Sequence, residues 1–352
     1  MHRIALDATY SLGEALSGVG VYSHEMLYGL ASAHPDDAAF QWCYRPNRIF
    51  RSLREHVPRN AARRLLRYSS APKCDVFHAL NQRVEFPSSS KCKIVTTFHD
   101  LFVLTGDYST PEFRVRFAEQ ARRAAERSDT ILAVSQFTAD QVRALLKVDG
   151  TPVHVVHHGV HPPTVSGSEL PPDAKRENMI LHVGAIQKRK NLERLIEAFE
   201  ALPDTWRLVL VGSVGYGGEA AIDRAKTSAA AKRIEIMGYI EAVRLEKLYR
   251  TARILAFPSL DEGFGIPVIE AMSRGLPVLT SDGSALAEVA GNAALLVDAR
   301  RVDSIVEGLQ TLVKAPGLRE HLSKLGLQRA LQFSWKRAVA QTWTAYEMTL
   351  SA

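Results

Sequence analysis

The chain has 352 residues, of which 46% are apolar and 23% charged, and its formal net charge is +6. This length suits two domains with full hydrophobic cores, and the composition excludes a disordered, collagen-like or coiled-coil protein. Three scattered cysteines without a C-x-x-C pair indicate a reducing compartment. The first residues lack a signal-peptide pattern and no apolar stretch is long enough to span a membrane, so we expect a cytoplasmic protein.

Short apolar runs, predicted to be strands, alternate with helical patterns along the whole chain. Most runs are continuous rather than alternating, as expected of parallel strands buried on both faces. We therefore predict an α/β protein with two Rossmann-like, doubly wound domains facing each other across a cleft, with ligands at the carboxyl ends of the strands. The predicted strands lie at 3–7, 40–44, 75–78, 93–98, 130–134 and 153–156, then at 179–183, 207–211, 234–237, 254–257, 277–280 and 294–297.

The Pro-rich segment 159–173 separates the two strand series and is interpreted as a linker. We predict an N-terminal domain over 1–165, a C-terminal domain over 166–334, and a final helix over 335–352. Aromatic and apolar residues recur at helical spacing on this last segment, so we expect the helix to pack back toward the N-terminal domain. They are Trp335, Val339, Trp343, Tyr346 and Leu350.

Two motifs of the first half could contact a ligand. Gly18 and Gly20, in the sequence S-G-V-G between the first predicted strand and helix, would allow close backbone approach to a phosphate, although the full dinucleotide-binding pattern is missing. His99, in F-H-D at the end of a predicted strand, could contact a sugar or handle a proton. A buried structural histidine is the alternative interpretation of His99.

A basic segment occupies residues 45–73, with nine Lys or Arg residues against one Glu, a local charge of +8. Within it, residues 59–68 are predicted to form a short cationic helix. An anionic membrane surface would attract such a segment, and a solvated basic face is the alternative. Aromatic residues are too sparse here to favour nucleic acid.

The first predicted strand of the second half ends in the sequence G-A-I-Q-K-R-K-N, residues 184–191. Its three consecutive cations, Lys188, Arg189 and Lys190, could hold a diphosphate before the next helix. A solvated basic turn is the alternative. The histidines 154, 157 and 158 are not interpreted as a zinc site, since no Cys or carboxylate is close in sequence to complete it.

The strongest local signal is S-L-D-E-G-F-G-I-P-V-I-E, residues 259–270, which follows a predicted strand. Pro267 suits a first helical turn, so we predict that a helix begins near Ile266 and that the amides of residues 264–266 form an anion site. Glu262 before the helix and Glu270 within it could bind sugar and ribose hydroxyl groups. A glycine turn with two solvated glutamates is the alternative.

Taken together and in this order, the four motifs resemble those of glycosyltransferase family 4, the group 1 glycosyl transferases of the GT-B fold. The resemblance covers essentially the whole chain. It implies a retaining transferase that moves a hexose from a nucleotide sugar without a metal ion or other cofactor. One position departs from the pattern: Ala185 stands where many members carry Arg, and we expect Arg189 to supply that charge.

The resemblance also implies roles for individual residues. Glu262 would bind hydroxyls of the donor sugar, Glu270 the ribose, Lys190 and Arg189 the diphosphate, and His99 the transferred sugar. Gly18 and Gly20 would let the N-terminal loop approach the diphosphate. The sugar and phosphate would contact the glycine turn, and the base would contact the segment after the strand 234–237. These last residues are Gly263, Phe264, Gly265 and Ile266, then Gly238, Tyr239 and Ile240.

We expect mannose as the sugar and GDP-mannose as the donor, with a glycan or lipid-linked acceptor in surface polysaccharide biosynthesis. The basic segment 45–73 would then bring the protein to the inner face of the plasma membrane. Two alternatives stay open at this point: a GT-B sugar-nucleotide epimerase and a non-catalytic nucleotide-sugar binding protein.

Overall fold

The computed structural model describes residues 1–13, 16–67, 69, 72–84, 92–161 and 170–352. The chain divides into two compact units. Unit 1 comprises residues 1–105, 110–159 and 334–352, and unit 2 comprises residues 106–109 and 160–333. Most of the predicted linker 159–173, including the predicted boundary between residues 165 and 166, lies outside the described residues.

Unit 1 is built on a seven-stranded parallel sheet with the order β3-β2-β1-β4-β5-β6-β7. Its strands are β1 (His2–Asp7), β2 (Ala38–Tyr44), β3 (Ala61–Leu65), β4 (Val76–Ala79), β5 (Lys93–Phe98), β6 (Thr130–Ala133) and β7 (Val153–Val155). The helices between them are α1 (Gly18–Ala33), α2 (Ile49–Ser52), α3 (Phe102–Thr105), α4 (Pro111–Glu126) and α5 (Gln136–Leu146).

Unit 2 is built on a six-stranded parallel sheet with the order β10-β9-β8-β11-β12-β13. Its strands are β8 (Met179–Val183), β9 (Arg207–Val211), β10 (Ile234–Gly238), β11 (Ile254–Phe257), β12 (Val278–Ser281) and β13 (Leu295–Val297). Its helices are α6 (Leu192–Glu200), α7 (Gly218–Thr227), α8 (Ala242–Thr251), α9 (Ile266–Ser273), α10 (Ser284–Ala290), α11 (Val302–Lys314) and α12 (Pro316–Ala330).

The strand order places a topological switch point in each sheet. In unit 1, β2 and β3 lie on one side of β1, whereas β4 and the later strands lie on its other side. In unit 2, β9 and β10 lie on one side of β8, whereas β11 and the later strands lie on the other. Loops after two such strands diverge to opposite faces of the sheet, which opens a crevice at their carboxyl ends. The predicted doubly wound α/β class is confirmed in both units, and the crevice of unit 2 is where Gly184 and Glu262 lie.

The last helix, α13 (Trp335–Ser351), belongs to unit 1. Trp335, Val339 and Tyr346 are buried in the same core cluster as Ile4 and Leu6 of β1, so one face of α13 completes this core. The Ser334 hydroxyl accepts a hydrogen bond from the Arg337 amide and thereby caps the start of the helix.

A buried polar chain connects α13 to the sheet of unit 1. The Tyr346 hydroxyl and His78 Nδ1 are 2.6 Å apart, and His78 Nε2 lies 2.7 Å from the Thr97 hydroxyl, which in turn lies 2.9 Å from the Tyr22 hydroxyl. Burial lowers the pKa of His78 to about 3, so the imidazole is neutral at neutral pH. These bonds satisfy polar groups from four separate elements inside the core.

The predicted cationic helix over residues 59–68 is wrong. Residues 61–65 form β3, an edge strand paired in parallel with β2 from Phe40↔Ala61 to Tyr44↔Leu65, while residue 68 lies outside the described residues. Pairing with β2 satisfies the backbone groups that a helix would otherwise satisfy, and this tertiary contact outweighs the local helical preference. The Arg63 guanidinium donates to the carbonyls of Ser52 (2.9 Å) and Glu55.

Candidate active site

At the crevice of unit 2, β8 and β9 are each followed directly by a glycine with unusual backbone angles. Gly184 has φ 144° and Gly212 has φ 148°, both in the region that side chains rarely adopt. A Cβ on Gly212 would lie 2.0 Å from the Gly184 carbonyl oxygen, so no other residue fits there. The two strand ends thus approach each other closely just before the K-R-K-N turn, residues 188–191.

At the centre of the crevice, one buried carboxylate bonds two cations. Arg189 lies 2.6 Å from Glu262 Oε2, and Lys190 Nζ donates to Glu262 Oε1. The side chains of all three residues are 12% exposed or less. Lys190 Nζ also lies 4.5 Å from the centre of the Phe257 ring, which adds a cation–π contact. We call these three residues the ion triad.

The two cations determine the charge of Glu262. Burial alone would raise the pKa of this carboxyl, but the charges of Arg189 and Lys190 outweigh burial and hold its pKa at about 2. Glu262 is therefore ionised at neutral pH. With one negative and two positive groups, the ion triad carries a net charge of +1 and favours an anionic ligand.

Further bonds attach the turn after β8 to the loop after β11. The Leu260 amide donates to the Arg189 carbonyl (2.8 Å), and Arg189 Nη1 donates to the Asp261 carbonyl (3.0 Å). Asn191, in a left-handed conformation with φ 62°, donates from its side-chain amide to the carbonyls of Pro258 (3.1 Å) and Ala299 (2.6 Å). The sequence analysis assigned no role to Asn191, which here holds the ion triad in place.

The glycine turn leads into α9, which begins at Ile266 as predicted. Gly265 has φ 105°, a conformation that side chains rarely adopt and that therefore favours glycine; a Cβ there would lie 2.5 Å from a methyl carbon of Leu286. Pro267 occupies the first turn, where its missing N–H costs nothing. Phe264 is buried and its ring packs edge-on against that of Phe333 at 5.6 Å, which anchors the turn.

Glu270 lies on α9 and bonds a different partner from Glu262. The Tyr249 hydroxyl donates to Glu270 Oε2 at 2.7 Å. Burial raises the pKa of Glu270, and the Tyr249 bond together with the charge of Arg274 acts in the opposite direction. The sequence analysis did not identify Tyr249, because no local pattern links α8 to α9.

The segment predicted to contact the base follows β10. Gly238 ends this strand with φ 63°, and its carbonyl accepts from the Gly212 amide at 2.8 Å. Tyr239 is 59% exposed, whereas Ile240 is buried. An exposed ring beside a buried aliphatic residue offers a surface on which a planar group can stack.

Not all three cations of the K-R-K turn join the ion triad. Lys188 is exposed and lies 3.0 Å from the carboxylate of Asp107, which also belongs to unit 2. Of the three cations, Arg189 and Lys190 bond Glu262, and Lys188 does not.

His99 lies in unit 1, immediately after β5. Its Nε2 is 2.9 Å from the Leu80 carbonyl, its ring stacks on that of His158 with centroids 5.4 Å apart, and the Tyr22 ring packs edge-on against it. Burial lowers the pKa of His99 to about 4, so the ring is neutral. Because a carbonyl only accepts, Nε2 carries the proton and Nδ1 is left as a hydrogen-bond acceptor.

The S-G-V-G motif is not a loop, in contrast to the prediction. α1 begins at Gly18, and the Ser17 hydroxyl caps it by accepting from the Gly20 amide at 3.3 Å. A Cβ on Gly20 would lie 2.9 Å from the Tyr10 carbonyl oxygen, so this glycine permits close packing of the helix start against the preceding loop. Within the described ranges, no group of three or more His, Cys, Asp or Glu residues is placed to hold a metal ion.

Two parallel Rossmann-like units with this strand order define the GT-B class of glycosyltransferase folds. Sequence models of two families match the chain, Glycosyltransferase Family 4 over residues 9–162 and Glycosyl transferases group 1 over residues 170–329. The O-antigen chain mannosyltransferase B of Escherichia coli is 30% identical over 268 residues, which cover 73% of this chain and 70% of that protein. The chain therefore belongs to glycosyltransferase family 4, the group 1 glycosyl transferases.

Solved structures agree on the fold. Sucrose-phosphate synthase from Thermosynechococcus elongatus superposes with a TM-score of 0.76 at 19% identity, covering 100% of both chains. Anabaena HepE, solved in complex with UDP and glucose, superposes with a TM-score of 0.72 at 16% identity, covering 99% of both chains. At these identities the likeness concerns the fold alone.

Replacing Glu262 with Ala should destabilise the protein. It would leave Arg189 and Lys190 buried without a counter-charge, which costs on the order of 3 kcal/mol in the free energy of unfolding. Urea denaturation followed by circular dichroism measures this loss. The matched control is Glu235→Ala, whose carboxylate is 51% exposed beside Arg207 and should change stability by less than about 0.5 kcal/mol. An equal, small effect of both substitutions would contradict a buried ion triad.

Proposed function

We propose that this glycosyltransferase moves a mannosyl group, with retention of the anomeric configuration, from GDP-mannose to a glycan or lipid-linked acceptor in surface polysaccharide biosynthesis. The observation that carries the proposal is the ion triad, which lies at the switch point of unit 2 with a net positive charge. A nucleoside diphosphate is the leaving group whose charge such a site stabilises. The mannosyl group is proposed from the name of the E. coli relative.

The electrostatics of the site suit departure of a diphosphate. As the bond from the anomeric carbon to the phosphate oxygen breaks, negative charge grows on the diphosphate and positive charge on the sugar ring. Lys190 and Arg189 face the growing negative charge, and the start of α9 adds the positive end of a helix dipole. We propose that these groups do this without a metal ion.

The acceptor then completes the exchange on the same face of the sugar. Its hydroxyl oxygen forms a new bond to the anomeric carbon, and its proton passes to the departing phosphate oxygen. The atoms balance without a covalent enzyme intermediate, so no side-chain nucleophile is required. Glu262, ionised and held by two cations, would accept hydrogen bonds from hydroxyls of the transferred sugar and stabilise the positive charge on its ring.

We propose that His99 of unit 1 and Glu270 of unit 2 each keep the role that the family implies. His99 Nδ1, an acceptor because Nε2–H bonds Leu80, would accept a hydrogen bond from a hydroxyl of the transferred sugar. Glu270 Oε2 is bonded by Tyr249, which leaves Oε1 to accept from the ribose hydroxyls. Gly18, Gly20 and the segment 238–240 keep the diphosphate and base roles implied by the family.

Turnover of the donor tests this function directly. We expect the protein to transfer mannose from GDP-mannose to at least one member of a panel of p-nitrophenyl glycosides, and to do so unchanged in the presence of EDTA. UDP-glucose is the matched alternative donor, given the ligands in the Anabaena structure. Proton NMR of the product should show the same anomeric configuration as the donor.

Four results would contradict the proposal. Inversion at the anomeric carbon would exclude the same-face mechanism, and loss of activity in EDTA that Mg²⁺ restores would exclude a site without a metal ion. Conversion of the sugar nucleotide to its epimer without transfer would support the epimerase alternative. Tight binding without turnover of any donor would support a non-catalytic binding protein.

The two glutamates should respond differently to substitution. Glu270→Ala should weaken GDP binding about 10- to 100-fold, because a hydrogen bond to a charged group contributes roughly 1.5–3 kcal/mol. Glu262→Gln should not weaken GDP binding, because its proposed ligand is the sugar and its loss leaves the two cations more positive. Its kcat/KM should nevertheless fall, since the contact strengthens in the transition state. Calorimetry with GDP and initial-rate kinetics separate the two effects, and equal losses in both assays would contradict these assignments.

We infer further that the basic segment 45–73 brings the protein to an anionic membrane surface, and two exposed apolar side chains support this. Phe50 of α2 is 81% exposed and Leu53 just after it is 66% exposed. Arg48, Arg51 and Arg54 alternate with them in sequence. Apolar residues among arginines are the pattern of a segment that inserts shallowly into the headgroup region. No described helix is both long and apolar enough to cross a bilayer.

Replacing Phe50 and Leu53 together with Ser should weaken binding to phosphatidylglycerol vesicles at least about 10-fold, because burying one large apolar side chain contributes roughly 1.5–3 kcal/mol. Co-sedimentation measures the bound fraction. The matched control is Val243→Ser, which removes a side chain that is 83% exposed in unit 2 and should leave vesicle binding unchanged. Unchanged binding of the double variant would assign α2 to an ordinary solvated surface.

A further inference from the structure

We propose that unit 1 carries a second anion-binding site, which takes a phosphate group in a cavity on the face of its sheet. The cavity has a volume of about 430 Å³. Its lining residues come from the first three strands and from the connection that follows β3. They are Arg3, Gln41, Cys43, Arg64, Leu65, Arg67, Pro72 and Lys73.

The cavity lies on the sheet face that is turned away from α1. Ile4, Phe40 and Trp42 belong to the core cluster that contains the buried residues of α1 and α13. The neighbouring residues Arg3 and Gln41 point to the opposite face, because successive side chains of a strand alternate. The cavity is therefore separated from the α1 core by the sheet itself.

The connection between β3 and β4 explains why a cavity exists there. A crossover between parallel strands usually takes a dozen or more residues and covers the sheet with a helix. Residues 66–75 form a shorter connection, and its described part contains no helix. The side-chain amide of Gln41 donates to the Lys73 carbonyl at 2.9 Å, which holds this connection across the sheet face. The described part of the connection therefore covers less of the face than a helix would.

The charge of the cavity is one-sided. Four of its eight lining residues are Lys or Arg and none is acidic. Arg3 lies 2.9 Å from the Asp75 carboxylate. Among the described residues, no carboxylate forms an ion pair with Arg64, Arg67 or Lys73. Three of the four cations therefore lack a carboxylate partner among the described residues, and cations gathered in a concavity concentrate positive potential there, which attracts an anion.

The donor set favours phosphate among anions. The planar guanidinium groups of Arg64 and Arg67 each match two oxygens of one phosphate, and Lys73 adds a point charge. The volume lies within the range of sites that bind small molecules. A phosphate monoester or diphosphate therefore fits, supplied either by a soluble metabolite or by a lipid headgroup.

The site is distinct from the α2 surface, although both belong to the basic segment. Neighbouring residues of β3 face the two regions: Arg63 donates to the carbonyls of Ser52 and Glu55, whereas Arg64 lines the cavity. Arg51 and Arg54 do not line the cavity. The inference does not depend on the proposed donor or reaction, since no residue of the ion triad takes part.

Isothermal titration calorimetry with inorganic pyrophosphate tests the site. Because pyrophosphate should also bind at the ion triad, wild type is compared with the double variant Arg64→Ala/Arg67→Ala. We expect the double variant to lose one set of binding sites, or to bind there at least about 10-fold more weakly, while GDP affinity stays unchanged. The control Arg51→Ala/Arg54→Ala removes two nearby charges and should bind pyrophosphate like wild type.

A second measurement distinguishes the two sources of phosphate. If the cavity variant also loses binding to phosphatidylglycerol vesicles, relative to phosphatidylcholine vesicles, the ligand is a lipid headgroup. If it loses only pyrophosphate binding, the ligand is a soluble phosphate compound. Should the double variant fail to fold, Lys73→Ala gives the same comparison with an exposed residue. Equal stoichiometry and affinity for pyrophosphate in wild type and the folded cavity variants would overturn the proposal.

Discussion

The buried ion triad of Glu262, Arg189 and Lys190 is the interaction on which the geometry of unit 2 depends. It joins the turn after β8 to the loop after β11, the two strand ends that flank the switch point. Taking three charges out of water is costly, and a well-packed apolar cluster would be at least as stable. What the ion triad supplies is a fixed position for two cations, which a solvated lysine or arginine would not have. The backbone contacts of Leu260 and Asn191 add to this rigidity.

The buried groups of the ion triad differ in charge from the buried histidines near the end of β5. In the ion triad, the three groups stay charged because they are paired, as the low pKa of Glu262 illustrates. In unit 1, burial lowers the pKa of His78, His99 and His158, and the rings are neutral members of a packed core. A neutral imidazole at the end of β5 can exchange hydrogen bonds with hydroxyl groups without attracting a phosphate.

The sequence predicted the framework well because parallel strands buried on both faces leave continuous apolar runs. All twelve predicted strands are present, and α9 begins at Ile266 because Pro267 and the glycines before it have strong local preferences. β3 was missed, since Ala61–Leu65 is a strand only through its pairing with β2. The pairing of Glu262 with Arg189 and Lys190, and that of Glu270 with Tyr249, joins residues distant in sequence. Motif spacing predicted that these residues bind a ligand, which stays a prediction, but did not reveal their protein partners.

The position of α13 affects the order in which the chain can fold as it is synthesised. Residues 334–352 complete the core of unit 1, yet they follow the whole of unit 2 in sequence. A nascent chain therefore exposes the sheet of unit 1 without its last helix while all of unit 2 is being translated. During that interval the apolar surface meant for Trp335 and Tyr346 is open, and His78 lacks one of its two hydrogen-bond partners. Unit 2 is a contiguous segment apart from residues 106–109 and can fold first. The strands of unit 1, which are synthesised earliest, are therefore among the last to have their core completed.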